Sequence, residues 1–102
     1  LPFLSIGAVG IISVIAHVAS GPMADLVDAF DRGDIHEAQR LANRLAPLVH
    51  SMNGDGYQAV MAKAALKVRG VLDSTTMRLP NIGPDAAQLE KAKAGMLAAG
   101  LL

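Results

Sequence analysis

The first twenty residues of the chain carry no charge, and a short run of mainly β-branched residues lies within them. Residues 9–15 read Val-Gly-Ile-Ile-Ser-Val-Ile, with Gly7 on one side and Ser20, Gly21 and Pro22 on the other. β-Branched side chains favour strands, and continuous hydrophobicity is typical of parallel strands that are covered on both faces. The pattern therefore predicts one buried strand over residues 9–15.

A single parallel strand leaves its backbone donors and acceptors without partners. The rest of the sequence contains no second strand of comparable quality, so we expect the neighbouring strands to lie outside these 102 residues. Two other interpretations of the apolar start are weaker. A signal peptide needs a basic residue before its apolar run, and none precedes Arg32. A membrane-spanning helix needs about 20 apolar residues, and this run is interrupted by Pro2, Gly7, Gly10 and His17.

After residue 21 the apolar positions change to helical spacing. Pro22 suits the first turn of a helix, because the N–H that proline lacks would have no helical partner there. Gly33 is expected to end this first helix, which places the helix within residues 22–32. The residues predicted to face the core at helical spacing are Met23, Leu26, Val27 and Phe30.

A second helix is predicted over residues 35–52. Asp34 caps its start, and Glu37 three residues later completes an approximate capping box. Pro47 lies inside this helix and predicts a bend, because proline removes a hydrogen bond and clashes with the preceding turn. The predicted core-facing stripe consists of Ile35, Ala38, Leu41, Ala42, Leu45, Leu48, Val49 and Met52.

Two more helices complete the predicted architecture. The third covers residues 57–69 after a loop at residues 53–56, and an irregular surface connection follows over residues 71–83. The fourth helix begins at Pro84 or Asp85. The glycines expected just beyond the ends of these helices are Gly70 and Gly100. The predicted inward residues are Tyr57, Val60, Met61, Ala64 and Val68 on the third helix, and Ala86, Leu89, Ala92, Met96 and Leu97 on the fourth. The chain is thus predicted to be mainly α, with one strand and about four helices.

Composition narrows the function classes without selecting one. Hydrophobic residues make up 52% of the chain and nine basic residues balance nine acidic ones, which excludes intrinsic disorder. The basic residues are interleaved with acids and only 3% of residues are aromatic, so neither a phosphate-binding patch nor a base-stacking platform is expected. The absence of cysteine excludes disulfides, thiolate zinc sites and thiol catalysis, and is consistent with a reducing compartment.

Candidates for chemistry are few, and each has a structural interpretation that is stronger. His36 and His50 would share a helix face but lie about 21 Å apart, too far to hold one metal ion. His17 follows the predicted strand and could enter a pocket, although a structural role is the stronger interpretation. Lys63 and Lys67 are interpreted as solvent-facing amines, because a Schiff-base lysine needs a desolvated pocket. The aspartates Asp25, Asp28 and Asp31 are interpreted as a solvated helix face.

An ordered set of short motifs runs through the whole chain. The motifs are Gly7-Ala-Val-Gly10-Ile-Ile-Ser13-Val14, Gly33-Asp34 with Glu37-Ala38, Leu45-Ala-Pro47-Leu48, Lys63-Ala-Ala-Leu66, Arg78-Leu79-Pro80 and Ala99-Gly100-Leu101-Leu102. Their order and spacing resemble the C-terminal third of the dihydrodipicolinate synthase family, within the pyruvate-Schiff-base aldolase superfamily. Two departures stand out: the family's Thr-Ala-Asn after the strand reads Ile15-Ala16-His17, and its Asn-Pro-x-Pro-Val-Lys reads Gln58-Ala-Val-Met-Ala-Lys63.

The resemblance implies a TIM barrel followed by a helical extension. Residues 1–32 would supply the last strand and helix of the barrel, and residues 33–102 the extension. Family members condense pyruvate with aspartate semialdehyde in lysine and diaminopimelate biosynthesis, through a lysine imine on the sixth strand and a hydroxyl relay. None of those catalytic residues falls in this segment, so the chain by itself is expected to be inactive. The only substrate-pocket residue that carries over is Ile12, which would pack on bound pyruvate.

The resemblance further implies a cytoplasmic homotetramer without a cofactor or metal ion, and without nucleic-acid or membrane partners. Other pyruvate-dependent aldolases, such as N-acetylneuraminate lyase, are one alternative for the activity. A free-standing helical interaction module is a second alternative, and a membrane-anchored helical protein is a third. A module should fold alone and expose one apolar patch, whereas a membrane protein should require detergent.

Overall fold

The computed structural model describes residues 1–54 and 57–102, and within them it is helical with no β-strand. The helices are α1 (Pro2–Ser5), α2 (Ala16–Asp31), α3 (Ile35–Met52), α4 (Gln58–Val68) and α5 (Ala86–Ala98). The mainly α class predicted from the sequence is confirmed. The predicted loop at residues 53–56 falls partly on Asp55 and Gly56, which lie outside the described residues. Throughout the described part of the chain, each helix is too short or too polar to cross a membrane.

The strand predicted over residues 9–15 is wrong for this chain by itself. Residues 8–13 have no regular secondary structure, and the side chains of Val9 and Ile12 are fully exposed, at 99% and 106%. A strand satisfies its backbone N–H and C=O groups through neighbouring strands. Residues 1–54 and 57–102 contain no such neighbour, so the apolar segment stays irregular and its side chains stay exposed.

The start of the first long helix also differs from the prediction. Helix α2 begins at Ala16, six residues before Pro22, and its backbone leaves the helical conformation at Ala19, with φ −136° and ψ 29°. Pro22 has no N–H to donate and its ring crowds the preceding turn, so the helix kinks just before the proline. Ala19 therefore separates a short first turn from the main part of α2, and Pro22 lies in the first turn of that main part, as the sequence predicts, although α2 itself begins at Ala16.

Helix α3 has the predicted bounds. The Asp34 side chain caps its start by accepting a hydrogen bond from the Glu37 N–H at 3.1 Å, while the Glu37 carboxylate accepts from the Arg40 guanidinium. The helix continues through Pro47 to Met52, and the predicted bend there stays a prediction. Helix α5 begins at Ala86, within two residues of the predicted start at Pro84 or Asp85. Asp85 caps it and forms a complete capping box with Gln88.

Glycines in the left-handed conformation end three of the helices. The φ angles are +78° at Gly33, +74° at Gly70 and +65° at Gly100. At the end of α5, the Leu101 N–H bonds to the Met96 carbonyl at 2.9 Å, which satisfies a carbonyl that the helix leaves unpaired. All three predicted helix ends are confirmed, because only glycine adopts this backbone conformation without a steric penalty.

The core is aliphatic, with α3 at its centre. Helix α3 packs against both α2 and α5, and α4 packs against α5. The largest fully buried side chains are Leu48, Met52, Met61, Met96 and Val18. Several predicted core positions are instead exposed: Ile35, Val49, Tyr57, Ala86 and Leu97. These residues lie at the margins or ends of their apolar stripes, where the facing helix does not reach them.

Helices α3 and α5 are in close contact where Gly95 faces Ser51. Both residues are buried, and the Ser51 hydroxyl donates to the Leu48 carbonyl at 2.9 Å within its own helix. A Cβ atom placed on Gly95 would overlap the Ser51 Oγ and lie 3.3 Å from the Pro47 carbonyl oxygen. The absence of a side chain at Gly95 is therefore what allows the two helices to touch.

Candidate functional site

An apolar cavity of about 790 Å³ lies between the N-terminal segment, α2 and α3. The cavity is lined by Ile11 and Ile12 of the irregular segment at residues 8–13, by Met23 and Leu26 of α2, and by Leu45 of α3. The few polar residues in its wall include Ser13, His50 and Asn53. The wall contains no lysine, carboxylate or cysteine, so the cavity can bind an apolar surface but offers no side-chain amine for imine formation.

Ile12, the predicted pyruvate-contact residue, lies at the edge of this cavity. Its neighbour Ile11 lines the same cavity, and both residues are exposed, Ile12 fully. Both observations follow from the irregular backbone of residues 8–13. The role of Ile12 in pyruvate binding stays a prediction for the complete enzyme.

The three histidines are exposed and separate. The His17 Nδ1 lies 2.8 Å from the Val14 carbonyl oxygen; since a carbonyl only accepts, Nδ1 carries the proton. His36 and His50 lie near opposite ends of α3, as their spacing predicts. Over residues 1–54 and 57–102, acidic, histidine and cysteine side chains form no group of three that could hold a metal ion.

Lys63 and Lys67, the two lysines considered for Schiff-base chemistry, form hydrogen bonds with the connection between α4 and α5. The Lys63 Nζ donates to the Thr76 carbonyl at 2.6 Å, and the Lys67 Nζ donates to the Asp73 carbonyl at 2.8 Å. Both hydrogen bonds lie at the exposed surface, in agreement with the interpretation as solvent-facing amines, and each amine also holds a backbone oxygen of residues 71–83. Ammonium groups bound in this way are not the desolvated neutral amines that imine formation needs.

The acidic residues fit a solvated surface. Asp25, Asp28 and Asp31 are exposed on α2, as predicted. On α3, the hydrogen bonds and positive charge of Arg40 hold the pKa of the Glu37 carboxyl below its ordinary value, and the same pair raises the pKa of Arg40. Arg40 is exposed and Glu37 half-buried, so this pair is a surface feature and not a catalytic one.

Two arginines that sequence reasoning did not single out make long-range hydrogen bonds. Arg44 on α3 donates to the carbonyl oxygens of Ala99 and Gly100, at 2.9 and 3.0 Å. Arg69, at the end of α4, donates from Nη1 to the Val18 carbonyl at 2.5 Å. No local pattern marks either residue, since each partner lies more than fifty positions away. The one available signal is Pro22, whose missing N–H leaves the carbonyl four residues earlier in need of another donor.

Comparison with known proteins gives a consistent result. The model of the Dihydrodipicolinate synthetase family matches residues 1–99. The chain is 82% identical over all 102 residues to the 4-hydroxy-tetrahydrodipicolinate synthase of Bifidobacterium longum (strain DJO10A), covering 34% of that protein. It is 67% identical to the synthase of Bifidobacterium animalis subsp. lactis (strain AD011), again covering 34%. Over 101 residues it is 45% identical to the synthase of Corynebacterium urealyticum, covering 33%.

The chain therefore spans about a third of the length of the curated relatives that it matches. The match nevertheless extends over nearly all of the chain itself, including the uncovered segment at residues 8–13 and the helices that follow. A family model that covers residues 1–99 leaves only the last three residues unmatched. This chain belongs to the dihydrodipicolinate synthetase family.

Proposed function

We propose that this chain forms the C-terminal third of an enzyme that condenses pyruvate with aspartate semialdehyde through a lysine Schiff base, in the biosynthesis of diaminopimelate and lysine. The observation that carries the proposal is the 82% identity, over the whole chain, to a 4-hydroxy-tetrahydrodipicolinate synthase. Relatives at 67% and 45% identity have the same name, which favours this activity over that of N-acetylneuraminate lyase. The complete enzyme is proposed to be a cytoplasmic homotetramer.

Within that enzyme, residues 1–32 would form the last strand and helix of a (β/α)8 barrel, and residues 33–102 the helical extension. The exposed apolar side chains support this arrangement, because Val9 and Ile12 are β-branched and uncovered in the isolated chain. Two of the seven further strands would pair with this segment, and the barrel interior and the helix layer would cover its two faces. The cavity beside α2 and α3 would likewise be covered by parts of the enzyme that lie outside this chain.

The active site would be formed mainly by residues of the missing two thirds. Lys63 and Lys67 of α4 support this assignment of the active site to other residues, because both amines are hydrogen-bonded to backbone carbonyls. Ile12 would line the pyruvate pocket and shape it without transferring a proton. Its apolar contact with pyruvate would be made equally in the ground state and the transition state, and would therefore affect KM more than kcat.

The test joins this chain to the N-terminal two thirds of the Bifidobacterium longum synthase. We expect the chimera to condense the two substrates and to form a borohydride-trapped pyruvate adduct in its N-terminal part. An inactive, folded chimera would contradict the proposed function. Ile12→Ala should raise the pyruvate KM, because the lost contact is worth about 1–3 kcal/mol and each 1.4 kcal/mol corresponds to roughly tenfold.

Ile11→Ala is the matched control for Ile12. In a barrel strand Ile11 would point to the opposite side, towards the helix layer. Its truncation should lower the thermal stability of the chimera and leave the pyruvate KM unchanged. The reverse pattern, with Ile11 affecting pyruvate and Ile12 affecting only stability, would shift the strand register by one residue. No effect of either change on pyruvate would contradict the assignment of this segment to the eighth strand.

A further inference from the structure

The hydrogen bond between Arg69 and Val18 lies where α2 is least regular. Pro22 cannot donate to the carbonyl four residues before it, which belongs to Val18. Val18 is only 2% exposed, and the neighbouring Ala19 departs from helical geometry. The Val18 carbonyl is partly buried, and a partly buried carbonyl without its helical donor is stabilised by another donor.

Arg69 supplies that donor from a different helix. Its Nη1 lies 2.5 Å from the Val18 carbonyl oxygen, across a sequence separation of 51 residues. The backbone of Arg69 is itself fixed, since it is the last residue before the left-handed Gly70 that ends α4. The charged guanidinium makes this bond stronger than a neutral one. The end of α4 is thereby joined to the first turns of α2.

We propose that Arg69 is a positioning residue, which replaces the donor missing at Pro22 and thereby fixes where the segment carrying Ile12 ends. The inference rests on the proposed function, in which residues 9–15 form a barrel strand whose Ile12 contacts pyruvate. Val18 lies six residues after Ile12, and only Ala16 and His17 lie between the end of residues 9–15 and Val18. Loosening this turn would move the end of the strand and the pocket wall with it.

The test uses the chimera with the Bifidobacterium longum synthase and a double-mutant cycle of Arg69→Met and Pro22→Ala. With Pro22 present, Arg69→Met should raise the pyruvate KM by about three- to tenfold and leave kcat within about twofold. With Ala at position 22, a local N–H can bond to Val18, so Arg69→Met should change the KM by less than about twofold. Arg40→Met removes an exposed arginine of α3 and is the matched control, with no expected effect.

Amide hydrogen exchange gives a readout that does not depend on activity. Peptides covering residues 16–24 should exchange about tenfold faster in Arg69→Met, and at the original rate when Pro22→Ala is added. If Arg69→Met does not fold, the double variant should restore folding, because it supplies the donor within the helix. Equal effects of Arg69→Met in both backgrounds, or unchanged exchange, would overturn the proposal.

The two hypotheses fail in different ways. A chimera that neither forms the pyruvate adduct nor makes product would contradict the proposed function, while the exchange measurement would still report on the Arg69 bond. An active chimera whose exchange responds to Arg69→Met but whose pyruvate KM does not would overturn the positioning role. Arg69→Lys, which keeps a charged donor, should retain the pyruvate KM within about threefold.

Discussion

Gly95 illustrates how one missing side chain determines a helix contact. A Cβ at this position would overlap the Ser51 Oγ and lie 2.5 Å from the Ser51 Cβ. Although alanine favours a helix over glycine by about 1 kcal/mol, the overlap has to be relieved by moving α3 away from α5. Gly95→Ala should therefore lower the free energy of unfolding by about 1–3 kcal/mol, as overpacked cores do. Urea denaturation of the chain measures this loss.

Ser51→Gly tests the cause of that loss. The substitution removes both Ser51 atoms that a Cβ on Gly95 would meet, and leaves the Pro47 carbonyl at 3.3 Å. Gly95→Ala should cost less in the Ser51→Gly background than in the original one, with a favourable coupling of about 0.5–3 kcal/mol. Additive effects of the two substitutions would mean that the helices do not meet at these residues.

At the level of the helices, α3 is the element on which the core depends. Leu45 is 3% exposed on its inner face, whereas Val49, one turn further along, is 39% exposed. Leu45→Ala should cost about 2–5 kcal/mol in thermal or urea unfolding, because it leaves a cavity in the core. Val49→Ala should cost less than about 1 kcal/mol. Similar losses for both, or a small loss for Leu45, would mean that this face of α3 packs differently.

The helix ends could be predicted where the sequence contains a local start signal or a local stop signal. Asp34 and Glu37 at one end, and glycines at positions 33, 70 and 100, act through hydrogen bonds and backbone sterics that need only a few neighbouring residues. The start of α2 could not be predicted in this way. Pro22 is compatible with a first turn and with a kink, and the choice between them depends on distant packing and on the donor from Arg69.

The candidate site was less predictable than the helices. The composition of residues 9–15 favours a strand, yet strand formation needs partners that a local pattern cannot supply. Tyr57 and Val49 are exposed because neighbouring helices do not extend over them. The periodicity of a single helix gives no information on the length of its neighbours. The place of Ile12 in a pyruvate pocket came from resemblance to a family, since a buried isoleucine in a strand is ordinarily core.

For the molecule as a whole, the proposal that the catalytic lysine lies outside these 102 residues can be tested directly. We expect none of the lysines of the 102-residue chain alone to form a covalent adduct when it is incubated with pyruvate and borohydride, because no lysine lines its cavity. Mass spectrometry of the intact chain measures the adduct, with the complete Bifidobacterium longum synthase as the positive control. A near-stoichiometric adduct on Lys63, Lys67, Lys91 or Lys93 would contradict this prediction.

We expect the hydrogen bonds of Arg44 at the end of α5 to limit how far an exopeptidase digests the chain. Leu102 is 52% exposed, whereas Leu101 is partly buried against the core and its N–H is bonded to Met96. Arg44 holds the carbonyls of the two residues before them. Carboxypeptidase should remove Leu102 and then slow sharply, because further cleavage requires the end of α5 to detach from α3. In Arg44→Ala, mass spectrometry should show trimming that continues through Gly100 and into the helix.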